Sequence, residues 1–120
     1  MSDYDQNNVF AKILRGEIKP NMVYEDEHVF AFHDHSPKAK VHIMIIPKGA
    51  YKNITQLGEN ASDQEIINLM RAVPKVADLM GIKETGYRIL INCGENGGQE
   101  VPHLHLHLLG GEFVELALGK

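Results

Sequence analysis

The chain has one cysteine, Cys93, among 120 residues. A single thiol excludes an internal disulfide and a zinc site built from cysteines, and it fits a reducing compartment. Long apolar runs are also missing. No stretch approaches the length needed to span a bilayer. Residues 1–8 are polar and acidic, without the apolar centre of a signal peptide, so the expected location is cytoplasmic, with no membrane partner. Basic residues are few: 12 Lys and Arg face 16 Asp and Glu, giving a formal net charge of −4, and they are nowhere dense enough to neutralise a row of phosphates. Binding to a long nucleic acid is therefore not expected. A small nucleotide needs only a local cluster of donors, which the acidic balance does not oppose.

What is present is ordinary for a folded protein, 43% hydrophobic and 23% charged. The length suits one core and is too short for two, so residues 1–120 are expected to form a single domain, with 1–8 as a loose leader. Val9, Phe10, Ile13 and Leu14 fall at helical spacing, and Gly16 supplies a stop. Residues 22–25 and 29–33 carry Val, Tyr and Phe around a polar break, the pattern of a hairpin that ends at Ser36 and Pro37. Residues 41–46 are apolar apart from His42 and rich in β-branched side chains, which predicts a central strand. Ser62 with Glu65 forms a capping box, and a helical apolar pattern then runs to Met80; Pro74 should kink or break it, and Gly81 closes it. Strands are predicted at 87–92 and 101–109, separated by a loop containing Gly94, Gly97 and Gly98. Cys93 reads as a small buried strand residue. Together these elements predict an α+β fold, an antiparallel sheet of about five strands with two main helices covering one face.

The sequence His103-Leu104-His105-Leu106-His107 alternates with the period of a strand. Leu104, Leu106 and Leu108 should then enter the core and the three imidazoles should share the other face. One use of such a row is a metal site, with His42, His33 and His35 as further donors. Along a strand, however, His103 and His107 lie about 13 Å apart at the backbone, too far to converge on one ion without bending it. The other use is covalent catalysis, in which the middle imidazole, His105, attacks phosphorus through one nitrogen while its neighbours fix its tautomer. Donors around it would stabilise the charge on the phosphate oxygens.

Residues 103–111 (HLHLHLLGG) resemble the signature of the histidine-triad family, and their Leu109-Gly110-Gly111 ending is similar to that of its Hint branch, the nucleoside phosphoramidate hydrolases. The resemblance continues through residues 10–18 (FAKILRGEI), 31–34 (AFHD), 37–42 (PKAKVH), 46–48 (IPK), 86–88 (GYR), Asn92 and 97–99 (GGQ). It implies that His105 forms a nucleotidyl intermediate, with His103, His107 and His42 completing the cluster. It also implies contacts from Asn92, Gly98 and Gln99 to phosphate or leaving group, and ribose binding by Asp34, which His33 and His35 flank. Val9, Phe10, Ile13 and Phe32 would form the apolar wall of a purine pocket, although core packing explains the helix residues equally well. The substrate implied is a purine nucleoside 5′-phosphoramidate of the AMP or GMP type, hydrolysed without a metal or other cofactor. The implied assembly is a homodimer whose sheets join, through residues 87–92 or the long helix. The alternatives are a dinucleoside polyphosphate hydrolase of the same superfamily, a nucleotide-binding scaffold with little turnover, and a histidine metal-binding protein. His35, Tyr51, Glu100 and Pro102 depart from the branch pattern, and each bears on substrate preference.

Overall fold

In the computed structural model, which describes residues 3–115, five strands form one antiparallel sheet. They are β1 (Met22–Glu25), β2 (Val29–His33), β3 (Val41–Pro47), β4 (Tyr87–Leu90) and β5 (Leu106–Gly110), in the order β1-β2-β3-β5-β4. Three helices accompany them: α1 (Val9–Leu14), α2 (Ile54–Asn60) and α3 (Asp63–Leu79). The β-branched run at β3 sits at the centre, paired with β2 on one side and β5 on the other.

Alternation along these strands divides the side chains between two faces. Val29, Ala31, Ile43, Ile45, Leu106 and Leu108, joined by Leu104, pack against Leu69, Ala72, Val76 and Ala77 of α3. The opposite face carries Phe32, Met44 and Ile46, and α1 covers it with Phe10 and Ile13. Helices therefore lie on both faces, where the sequence pattern predicted one, because the apolar stripe of α1 needs its own sheet surface to bury.

The capping box is formed: the Glu65 amide donates to Ser62 Oγ at 3.2 Å, and the Ser62 amide donates to Glu65 Oε1 at 3.0 Å. Ser62→Ala is expected to lower stability by about 1 kcal/mol, read as a lower urea midpoint with an unchanged slope. Pro74 does not break α3, which runs unbroken from Asp63 to Leu79. Pro74 is exposed, and the carbonyl that it deprives of a donor belongs to Met70, itself 49% exposed, where water can serve that group.

Three other expectations need correction. Strand β4 stops at Leu90 and β5 starts only at Leu106, so Cys93 lies in a loop, partly exposed, with Sγ 3.6 Å from Thr55 Oγ1. Helix α2 had no clear signal, since Ile54, Thr55 and Gly58 are weak helix formers; its start is fixed by Asn53, whose side chain accepts from the Gln56 amide. The described part of the leader is not loose. Asp3 accepts from Lys52 Nζ at 2.5 Å and Gln56 Nε2 at 2.9 Å, Tyr4 is buried, and Asn8 caps α1.

Candidate active site

Four imidazoles gather on the α1 side of the sheet. His42 on β3 and His107 on β5 are diagonal cross-strand neighbours, because the register pairs His42 with Leu109 and Met44 with His107. His103 and His105 precede β5. The ladder ends at the pair Ile45 and Leu106, and Pro47, lacking an amide hydrogen, cannot extend it. The Pro47 carbonyl instead accepts from the His103 side chain, Nε2 to O at 2.8 Å. Leu104, Leu106 and Leu108 still point into the α3 core, since extended chain alternates whether or not it is paired.

Main-chain groups assign the protons. The Lys38 amide can only donate, and it lies 3.0 Å from His42 Nδ1. Neutral His42 therefore carries its hydrogen on Nε2 and donates it to His107 Nδ1 at 3.0 Å. His107 is left with its own hydrogen on Nε2. In a second chain, the Tyr4 hydroxyl donates to His103 Nδ1 at 2.5 Å, and His103 Nε2 donates to Pro47. The carbonyl of His103 accepts from His105 Nδ1 at 2.7 Å. His105 Nε2 is consequently a free lone pair.

Burial keeps these rings neutral. Desolvation pushes the pKa of His42 and His105 down and those of His103 and His107 to about 4. The His105 and His107 rings are 5.0 Å apart at their centroids. Phe10 stands edge-on to His105, also at 5.0 Å, and Phe32 stands edge-on to Phe10 at 5.6 Å. The arrangement thus presents one nitrogen nucleophile beside one N–H donor, next to an apolar wall.

The remaining site residues fall into three groups. Phe10, Ile13 and Phe32 are buried in that wall, whereas Val9 is 41% exposed. Asp34 follows β2 with Oδ2 3.7 Å from His42 Nδ1 and accepts from the Ser36 amide; flanking His33 is half-buried and His35 exposed. Asn92, Gly98 and Gln99 build the loop. Asn92 Nδ2 donates to the Gly97 carbonyl at 2.7 Å. Gln99 Oε1 accepts from the Gly94 amide, and Nε2 donates to the carbonyls of Lys52 and Val101. Both Gln99 amide hydrogens thus go to main-chain carbonyls, as does the Gly98 amide hydrogen, which is donated to Glu95.

Sequence reasoning missed Tyr4, the Lys38 amide and the Pro47 carbonyl. The last two are backbone groups with no side-chain signature, and Tyr4 meets a partner 99 residues away. Among the described residues no three His, Cys, Asp or Glu side chains are grouped to hold a metal ion. A concavity of about 680 Å³ beside β4 is lined by Tyr87, Arg88 and Phe113 and contains none of these histidines. Hydrogen-bond geometry, rather than volume, marks the site.

A five-stranded antiparallel sheet presenting a row of tautomer-fixed histidines defines a histidine-triad class of α+β protein. The HIT domain profile matches residues 15–114, and the chain belongs to the HIT family. It is 56% identical over 108 residues to an uncharacterised 13.2 kDa HIT-like protein of Azospirillum brasilense, covering 90% of this chain and 88% of the other. It is 41% identical over 106 residues to the purine nucleoside phosphoramidase of Escherichia coli K12, covering 88% of each. A HIT family hydrolase from Legionella pneumophila superimposes with a TM-score of 0.86 at 39% identity, over 94% of this chain and all of that one. No helix among the described residues is long and apolar enough to cross a membrane.

Proposed function

We propose that this HIT-family hydrolase cleaves the phosphorus–nitrogen bond of purine nucleoside 5′-phosphoramidates, releasing a nucleoside monophosphate and an amine. The observation that carries this reading is the free Nε2 of His105, opposite an Nδ1–H held by the His103 carbonyl. In the first step Nε2 bonds to the α-phosphorus as the phosphorus–nitrogen bond breaks, and the amine leaves carrying a proton taken up from solvent at its nitrogen. In the second, water attacks phosphorus, the bond to Nε2 breaks, the imidazole returns to its neutral form and the proton of the water goes back to solvent. The Nε2–H of His107 serves a phosphate oxygen, where charge grows. Phe10, Ile13 and Phe32 receive the base. Asp34, an acceptor-only carboxylate, suits the ribose hydroxyls. The 41% identity to a phosphoramidase supports the choice of bond. Strand β4 is one of the two edge strands of the sheet, with β1 at the other edge, and this supports the reading of a homodimer whose sheets join through β4.

The test is amine release from an adenosine phosphoramidate in excess chelator, with rapid quenching and mass analysis of the peptide containing His105. Turnover with an adenylyl group on that peptide is expected. Turnover without an adduct under trapping conditions would remove the covalent intermediate. Binding of AMP with no turnover would make the protein a nucleotide-binding module.

A further inference from the structure

We propose that Tyr4 is a positioning residue for His105, its hydroxyl locking the His103 ring so that the His103 carbonyl holds the nucleophile's Nδ1 hydrogen. The proposal rests on the reading of His105 as nucleophile.

The His103 side chain is fully buried, so water does not reach its ring nitrogens. Each has one partner: Pro47 O at Nε2 and the Tyr4 hydroxyl at Nδ1. The Tyr4 ring also stands edge-on to the His103 ring, with centroids 5.6 Å apart and an interplanar angle of 72°. The imidazole is therefore pinned at both ends and along one edge. Its own backbone carbonyl, two residues before His105, accepts the His105 Nδ1 hydrogen at 2.7 Å. A tilt of the His103 residue would move that carbonyl and rotate His105 Nε2 away from its line of attack. Small displacements of a nucleophile cost rate steeply.

Tyr4 is tethered on both sides. Asp3 binds Lys52 Nζ and Gln56 Nε2, and Asp5 and Asn8 make the turn into α1, where the Asn8 side chain donates to the Asp5 carbonyl at 2.7 Å. Lys52 also gives its carbonyl to Gln99. The N-terminal strap and the glycine loop thus meet at one residue beside the site. A phenylalanine at position 4 would keep the ring packing and remove the hydroxyl, with its bond to His103 and its polar contact with Asn8, leaving the buried His103 acceptor unsatisfied.

The experiment compares the native protein with Tyr4→Phe, both assayed below their thermal midpoints. For an adenosine phosphoramidate, kcat is expected to fall about tenfold while KM stays within about twofold. In the ligand-free protein, nitrogen-detected imidazole spectra should show the His103 Nδ1 resonance moving towards that of an unbonded acceptor. The His105 Nδ1 proton should exchange faster with solvent. A side chain that merely fills space would leave kcat and both resonances unchanged, and that result overturns the proposal. If the native protein turns over no phosphoramidate, the nucleophile assignment falls. The spectra then decide the geometry alone: unmoved His105 resonances refute the lock, and shifted ones sustain it.

Discussion

Replacing His105 with alanine is expected to lower kcat for a purine nucleoside phosphoramidate by at least about 10⁴-fold, with AMP affinity retained. The size follows from the proton assignments. His103 uses both ring nitrogens, one on Pro47 and one on Tyr4. His42 uses both, one on Lys38 and one on His107. His107 accepts at Nδ1 and carries hydrogen at Nε2, so no second lone pair stands ready to replace the missing one. The apolar wall of Phe10, Ile13 and Phe32 loses only an edge contact. Calorimetric titration with AMP should therefore give an affinity within a few-fold of native. His105 is only 5% exposed, so the variant's fold must be verified by its melting midpoint. Retention of more than about one per cent of native kcat in a folded variant would show that another group, or water alone, attacks phosphorus.

The second large effect is on acid stability. Burial depresses the pKa of His103 to about 4 in the folded chain, against an ordinary value of 6.5. Between those values the unfolded chain binds a proton that the folded chain does not, so stability falls as pH falls. The contribution is fully present above about 6.5 and is lost progressively as pH drops towards 4. For His103 alone the difference amounts to about 3 kcal/mol across that window. His107 shifts in the same direction, also to about 4, but its ring is partly exposed and coupled to its neighbours, so it adds less. Carboxylates act lower on the scale: Glu65, held below its ordinary value of 4.5 by the Ser62 amide, loses its contribution only beneath that value. Urea midpoints at pH 7.5 and pH 5 separate the two classes. A marked fall between these values is expected, and equal midpoints would mean that the buried imidazoles do not remain neutral.

Much of this fold is legible in the order of residues. Residues 22–25 and 29–33 form strands with the predicted limits, because short runs of Val, Tyr and Phe are bounded by the polar Asp26 and Glu27. The three leucines between the histidines do face the core. The limits of β5 are not legible, because a ladder depends on its partner, and the partner offers Pro47 where a further amide is needed. Phe10, Phe32 and the four histidines are recognisable from the sequence, and the structure brings them together. Gln99 is recognisable as well, but its side chain braces the loop, a distinction that spacing cannot make. The docking of Tyr4 depends on tethers through Asp3 and Asn8 that no periodicity encodes.

Three of the groups that place the protons, the Lys38 amide and the carbonyls of Pro47 and His103, belong to the main chain. The direction of donation is therefore insulated from side-chain drift at position 38, where proline alone would withdraw the hydrogen, whereas at 47 proline itself leaves the carbonyl to His103 by ending the ladder. Sequences that diverge widely around the imidazoles can inherit the same proton arrangement so long as the polypeptide keeps its path.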